Sequence, residues 1–310
     1  MRRDSDTGLL LLALAVGAGA GLGAIVFRWL IVTFTHIFSG HADYADAGRE
    51  AHPWLPWLGP WFVLLAPVAA GLVYGPLVHA FAREARGHGV PEVMEAVARR
   101  GGRIRPQVAV VKSLASALCI GGGGSVGREG PIVQIGSAIG STVGRVLRAE
   151  EDRVRILVAC GAAGGIAATF NAPLAGVFFA LEVILRDFEA RSFGVVVLSS
   201  VTADAIGRAA FGGHAFLTLP SFAMGSPVEY LLYLVLGALA ALAGVVFVRV
   251  LYGGEDLADR VWGRLTRGGR VAEAMRPAAG GVLLGLLLLA VPQMYGVGYP
   301  VVTNAIDGHY

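Results

Sequence analysis

Residues 156–181 read ILVACGAAGGIAATFNAPLAGVFFAL, a run of 26 positions without one Asp, Glu, Lys or Arg. A helix needs about 20 apolar residues to cross a bilayer, so this run is long enough to span. Its interior carries Phe170-Asn171-Ala172-Pro173. Asn suits a helix boundary and Pro the first turn of a new helix. The run therefore predicts one helix that stops in an apolar setting and another that restarts there. Further uncharged runs of spanning length cover residues 8–27, 57–82, 230–248 and 277–306. Shorter ones, at 113–127, 130–144 and 192–203, predict tilted, broken or half-spanning helices.

Composition points the same way. The 310 residues are 55% hydrophobic and only 15% charged, with a mean hydropathy of +0.65, whereas soluble domains carry about 25% charged residues. Glycine supplies 45 positions, which suits membrane helices because small residues let backbones approach closely. The fold class is thus all-α, a polytopic membrane protein whose solvent is lipid. Arg2 and Arg3 before the first run, with Ala18-Gly19-Ala20 inside it, resemble a signal peptide. The length of the run, the acids Asp4 and Asp6, and the spans that follow favour a retained helix. Cys119 and Cys160 sit in apolar runs and read as packing residues.

Arginine placement sets orientation, because cytoplasmic loops are enriched in basic residues. Arg2 and Arg3, the group from Arg83 to Lys112, Arg145 to Arg155, and Arg260 to Arg276 form basic clusters. Residues 39–56 carry Asp43, Asp46 and Glu50 against Arg49, and residues 211–227 have no charge apart from His214 when protonated. The N-terminus and the clusters are placed in the cytoplasm, the two loops outside. Glu150 to Asp152 read as solvated acids at a helix end. The net charge of +3 comes with no basic run interleaved with aromatics, so nucleic acid is not an expected partner.

The chemistry is expected where helices begin within the membrane. Gly87-His88-Gly89-Val90-Pro91-Glu92 combines turn-forming glycines with a proline suited to a helix start. Residues 121–131, GGGGSVGREGP, end in a second Gly-Pro start. Unpaired N–H groups and the positive end of the dipole make helix N-termini anion sites, and broken helices are a recurring transporter device. Two such starts can cradle one dehydrated anion, or they are ordinary loops between spans. Glu129, beside the second start, is costly in a membrane without a task. As a carboxylate it occupies the anion position and, once protonated, it leaves, which makes a gate. The competing reading pairs it with Arg128 in a wet loop. Glu182 either faces a cytoplasmic water path or pairs with Arg186 through i,i+4 spacing. The Gly122-x-Gly124-x-x-Gly127 pattern lacks the strand that a dinucleotide site needs, and Gly127 is not followed by the Lys-Ser/Thr of a phosphate loop. His36, His79 and His88 show no metal spacing, and no catalytic constellation stands out, so an enzyme is not expected.

GHGVPEV (87–93), GGGGSVGREGPIVQIGSAIG (121–140) and GAAGGIAATFNAPLAGVFFALE (161–182) resemble, in this order, the signatures of the CLC family of chloride channels and chloride–proton antiporters. The resemblance implies a homodimer with an anion pathway in each subunit, built from two inverted halves whose helix N-termini meet at the anion. It implies a single transmembrane domain over 1–310, a first half near 8–211 and an incomplete second half near 225–310, with no regulatory domain visible. Carried over residue by residue, Gly87, His88, Gly89, Val90 and Pro91 form the inner anion loop. Gly127, Arg128, Gly130 and Pro131 surround the gating glutamate, Glu129. His88 departs from the family's usual Ser, although an imidazole N–H can also donate to an anion. Glu182-Val183 replaces the adjacent acids common in the antiporters, which favours channel-like conduction over exchange through Glu182. The family's second anion loop and pore-closing tyrosine come later than residue 310, so the chain reads as an N-terminal portion or a truncated product. Gly296-Val297-Gly298-Tyr299-Pro300 reads as the entrance to a later helix. The expected ligand is chloride, with no cofactor or metal. The expected location is a plasma membrane or bacterial inner membrane. A non-conducting membrane subunit is the alternative from another class.

Overall fold

A computed structural model describes residues 6–43, 50–213, 225–266 and 269–308. Expectations resting on Arg2, Arg3, Asp4, Asp46, Arg49, His214 and Arg267 lie outside the described residues. All regular structure among the described residues is helical. In chain order the α-helices are α1 (Asp6–Ser39), α2 (Phe62–Phe81), α3 (Val90–Arg99), α4 (Pro106–Gly121), α5 (Glu129–Val146) and α6 (Glu151–Phe170). They continue as α7 (Pro173–Phe179), α8 (Ala190–Phe211), α9 (Val228–Thr266), α10 (Arg270–Ala290) and α11 (Tyr299–Ile306).

Six helical stretches are long and apolar enough to cross a membrane: Thr7–Ser39, Pro56–Phe81, Glu151–Phe170, Ala190–Phe211, Val228–Thr266 and Val271–Ala290. The chain is a multi-pass membrane protein. The expected break at Asn171 is present: Asn171 takes a left-handed conformation (φ 53°) after α6, and α7 begins at Pro173.

One short run differs from the charge-counting expectation, and one long run is divided. The short run at 192–203 lies in a full-length helix, α8, because Arg208 pairs with Asp204 one turn away at 2.8 Å and removes most of the cost of including both. The uncharged run at 277–306 is not one helix. It stops at Ala290, turns through Pro292–Met294 and restarts at Tyr299 after a left-handed Gly298. Pro292 lacks the N–H that would continue α10.

Glycines set the distances between helices. Gly136, Gly140 and Gly144 repeat every four residues and so line one face of α5. A Cβ on Gly136 would overlap the Gly161 carbonyl of α6, and one on Gly140 would overlap the Leu157 carbonyl. A Cβ on Gly144 would press on Val154 at 3.1 Å. The two backbones thus run in direct contact, the close packing that replaces a hydrophobic driving force in lipid. The same device joins α2 to α10, where a Cβ on Gly71 would lie 2.6 Å from Ala278 N and one on Gly281 2.7 Å from Pro67 O. Hydroxyls between these helices are satisfied: Ser137 donates to Val158 O at 3.2 Å and Ser199 to Cys160 O at 3.0 Å. Leu157, Val158, Cys160, Ala162 and Ala163 of α6 are fully buried at the centre. By contrast, the apolar side chains of α9, Leu234 and Phe247 among them, face outward.

Candidate functional site

The site is built where α3 and α5 begin. Gly87 and Gly89 hold positive φ (74° and 105°), so the chain turns sharply into α3. Gly89 has no side chain with which to cap the helix. Glu92 of the first turn does it instead, its Oε2 accepting the Gly89 N–H at 3.0 Å. The second start follows the glycine run, with Gly123 at φ 94°, and Glu129 is the first residue of α5. Both starts lie within two residues of Pro91 and Pro131, where the sequence places them.

The two starts touch. A Cβ on Gly89 would lie 2.9 Å from the Gly130 carbonyl oxygen, and one on Gly130 would lie 2.7 Å from His88 Nδ1 and closer still to His88 O. His88 and Gly89 of the first start are therefore brought against Gly130 of the second. The His88 side chain itself is exposed, with Nδ1 on the Gly130 side.

Glu129 folds back over its own loop. Its Oε2 occupies the space that a Cβ on Gly127 would take, so this placement of the carboxylate depends on glycine there. Its Oε1 accepts a hydrogen bond from the Tyr299 phenol at 2.6 Å. The Arg128 guanidinium lies 5.3 Å from the Phe170 ring centroid and 5.2 Å from that of Tyr299, within cation–π range of both. Arg128, Phe170 and Tyr299 border a cavity of about 510 Å³ also lined by Arg28, Asp43, Asn171, Asp204 and Arg208. Its charged walls carry three arginines against two acids, with Arg208 paired to Asp204.

Side chains that the sequence did not mark as site residues hold the inner loop. Lys112, one of the basic residues that follow the second uncharged run, does not lie on a solvated surface. Only 3% of Lys112 is exposed, and its Nζ donates to the carbonyls of Ala85 (3.0 Å) and Gly87 (2.7 Å). The four-carbon stem lets a charge on apolar α4 reach the turn before α3. Gln134 of α5, also buried, donates to Glu84 O at 2.8 Å. The signal available in the sequence was that Lys112 is the one lysine in the chain and lies in an apolar segment.

Glu182 stands apart from these groups. It lies in a π-helical turn, Ala180–Leu185, and is exposed. The i,i+4 pairing with Arg186 does not form. The wider π turn breaks the α-helical spacing, and Arg186 leaves the helix in a left-handed conformation (φ 56°). The acids at the start of α6 are exposed as expected, and Glu151 and Asp152 also engage Arg155.

Similarity to known proteins follows the same geometry. The Voltage gated chloride channel family matches residues 70–310. A ClcB-like chloride channel protein of Ralstonia nicotianae is 36% identical over 287 residues, covering 91% of this chain and 64% of that protein. An H(+)/Cl(-) exchange transporter ClcA of Vibrio parahaemolyticus is 36% identical over 255 residues, 80% of this chain and 53% of that protein. The chain thus spans between half and two thirds of these relatives. The crystal structures of a slow cyanobacterial Cl-/H+ antiporter and of a CLC-type fluoride/proton antiporter share the fold, each with a TM-score of 0.74 and 24% identity. They cover 91% and 96% of this chain, and the match extends over 63% and 69% of those structures. Matched over most of its length, the chain belongs to the voltage gated chloride channel family, the CLC family.

Proposed function

We propose that the chain forms an anion pathway for chloride, and that the pathway couples chloride to protons. One observation carries the reading: the N-termini of α3 and α5 meet in direct contact with an acid at the second of them. The positive dipole ends and unpaired N–H groups converge on a point where a dehydrated anion replaces its water shell with backbone donors. Glu129 then serves as a tethered anion. Ionised, its carboxylate competes with chloride for the same field. Protonated, it loses that attraction and yields the place, so chloride entry and proton uptake become linked. Gly127 and Gly130 leave room for the carboxylate and for the neighbouring start; Arg128 adds positive charge at the mouth.

Sequence alone favours channel-like conduction, because Val183 stands where the family's exchangers carry an acid. The relatives redirect that preference, since several Vibrio proteins 35–36% identical to this chain are named H(+)/Cl(-) exchange transporters. In the exchange reading Glu182, exposed on its π turn, takes the proton on the cytoplasmic side. A homodimer in a bacterial inner membrane, N-terminus inside, completes the proposal. The test is reconstitution in liposomes with chloride efflux and proton uptake recorded together. Coupled fluxes in the wild type, and chloride flux without protons in Glu129→Gln, are expected. Equal coupling in Glu129→Gln would remove Glu129 from the mechanism, and wild-type chloride flux without protons would restore the channel reading.

A further inference from the structure

The segment between α10 and α11 lies along the glycine run that leads to Glu129. At its near end Tyr295, 1% exposed, donates its O–H to the Gly121 carbonyl at 2.8 Å, with its ring against Gly123. Four residues later Tyr299 reaches the Glu129 carboxylate at 2.6 Å, a contact across 170 positions of sequence. Val297, between them, packs against the apolar cluster that includes Ile120 and Ile132. Two tyrosines with Gly-Val-Gly between them thus hold the loop at both ends, and only the second touches an ionisable group.

We propose that Tyr299 is a positioning residue for Glu129, its phenol O–H holding the carboxylate folded back over Gly127 and setting the pH at which the carboxylate is released. A short hydrogen bond from a neutral donor to a carboxylate stabilises the ionised form, and the protonated form loses most of it. Gly298, left-handed at φ 78°, starts α11 so that Tyr299 is its first residue. The Arg128 guanidinium lies 5.2 Å from the ring centroid, within cation–π range. The inference rests on the reading of Glu129 as the gate only for its consequence in transport; the contact itself is independent of it.

Other charged and titratable groups around the carboxylate are Arg128 on its own loop and His88 at the start of α3. Arg28 of α1, Asp43 beyond its end, and Asp204 and Arg208 of α8 line the neighbouring cavity. A Tyr299→Phe variant keeps the ring beside Arg128 and removes one O–H, with its contacts to both Glu129 and Arg128.

The experiment is an infrared pH titration of the protein in lipid, in which the Glu129 carboxylate band is isolated by difference against Glu129→Gln. Tyr299→Phe is expected to move the midpoint of that band toward alkaline pH by about one pH unit, the worth of one hydrogen bond to a charged group. Tyr295→Phe, which frees the Gly121 carbonyl in the same segment, is expected to leave it in place. An unmoved midpoint in Tyr299→Phe, or an equal movement in Tyr295→Phe, would overturn the proposal. The same variants in the chloride flux assay separate the two claims. A band midpoint that moves while the pH profile of flux stays fixed keeps the Tyr299 contact and removes Glu129 as the gate.

Discussion

Gly130→Ala tests whether contact between the two helix starts matters. The added methyl would sit 2.7 Å from Nδ1 and 2.8 Å from Cε1 of His88, and nearer still to its carbonyl oxygen. Ordinary contacts between heavy atoms lie at about 3.5–4.0 Å, so something must move by roughly 1 Å. The exposed His88 ring can swing away. The His88 carbonyl is held more firmly, because Glu92 accepts the Gly89 N–H and Lys112 donates to the Gly87 carbonyl on either side of it. The start of α3 must therefore part from that of α5. Overpacking of this kind costs about 1–3 kcal/mol of stability. The parted starts also lose about one charge-assisted hydrogen bond to the anion, worth about 1.5–3 kcal/mol and so roughly tenfold or more in affinity. Chloride titration calorimetry on Gly130→Ala, with thermal unfolding in parallel, reads both effects. Adding His88→Ala removes the ring and not the carbonyl, so it should fail to restore binding. Wild-type affinity in Gly130→Ala, or full rescue by His88→Ala, would refute the reasoning.

Further expectations concern the supports of the site. Lys112→Met keeps the volume of the side chain but leaves the Ala85 and Gly87 carbonyls without their donor, and should cost about 1–3 kcal/mol in thermal unfolding; an unchanged unfolding temperature would show that Lys112 supports nothing. Gly161→Ala would place a Cβ against the Gly136 carbonyl and should prevent close packing of α5 on α6, whereas Gly194→Ala, with open space around it, should leave stability within about 1 kcal/mol of wild type. Size-exclusion profiles and unfolding curves compare the two, and similar behaviour would deny the glycine contact. His52, 3% exposed in the loop between α1 and α2, is held below the ordinary histidine value by burial and by nearby His41. Neutral His52 is the form that fits, so stability is full above about pH 6.5 and falls as acid protonates the unfolded chain first. Fluorescence of Trp54, whose ring centroid lies 5.7 Å from that of His52, should report loosening on acidification, and His52→Gln should abolish this response.

What was legible in the sequence was local. Proline and glycine act through their own backbone, so the breaks at Pro91, Pro131 and Asn171-Pro173 could be read from a few residues. Glu129 stood out because an acid in an apolar run needs a reason. The remainder depended on distant partners. Tyr299 is 170 positions from the carboxylate it binds, and Lys112 is 25 positions from Gly87. Counting charges also misled once. It missed the helix around Asp204 and Arg208, where an ion pair hides both charges, whereas the helix entrance read at residues 296–300 is where α11 begins. The i,i+4 pairing of Glu182 with Arg186 is absent because that spacing assumes an α-helix, and residues 180–185 form a π turn.

The central claim is that an anion and the Glu129 carboxylate compete for the point where α3 and α5 begin. The most direct measurement is the chloride binding isotherm of the wild type and of Glu129→Gln, taken at neutral pH and again in mild acid. The account predicts that Glu129→Gln binds chloride more tightly at neutral pH and that the wild type approaches it as acid protonates Glu129. Equal affinities in the two proteins at neutral pH would contradict it.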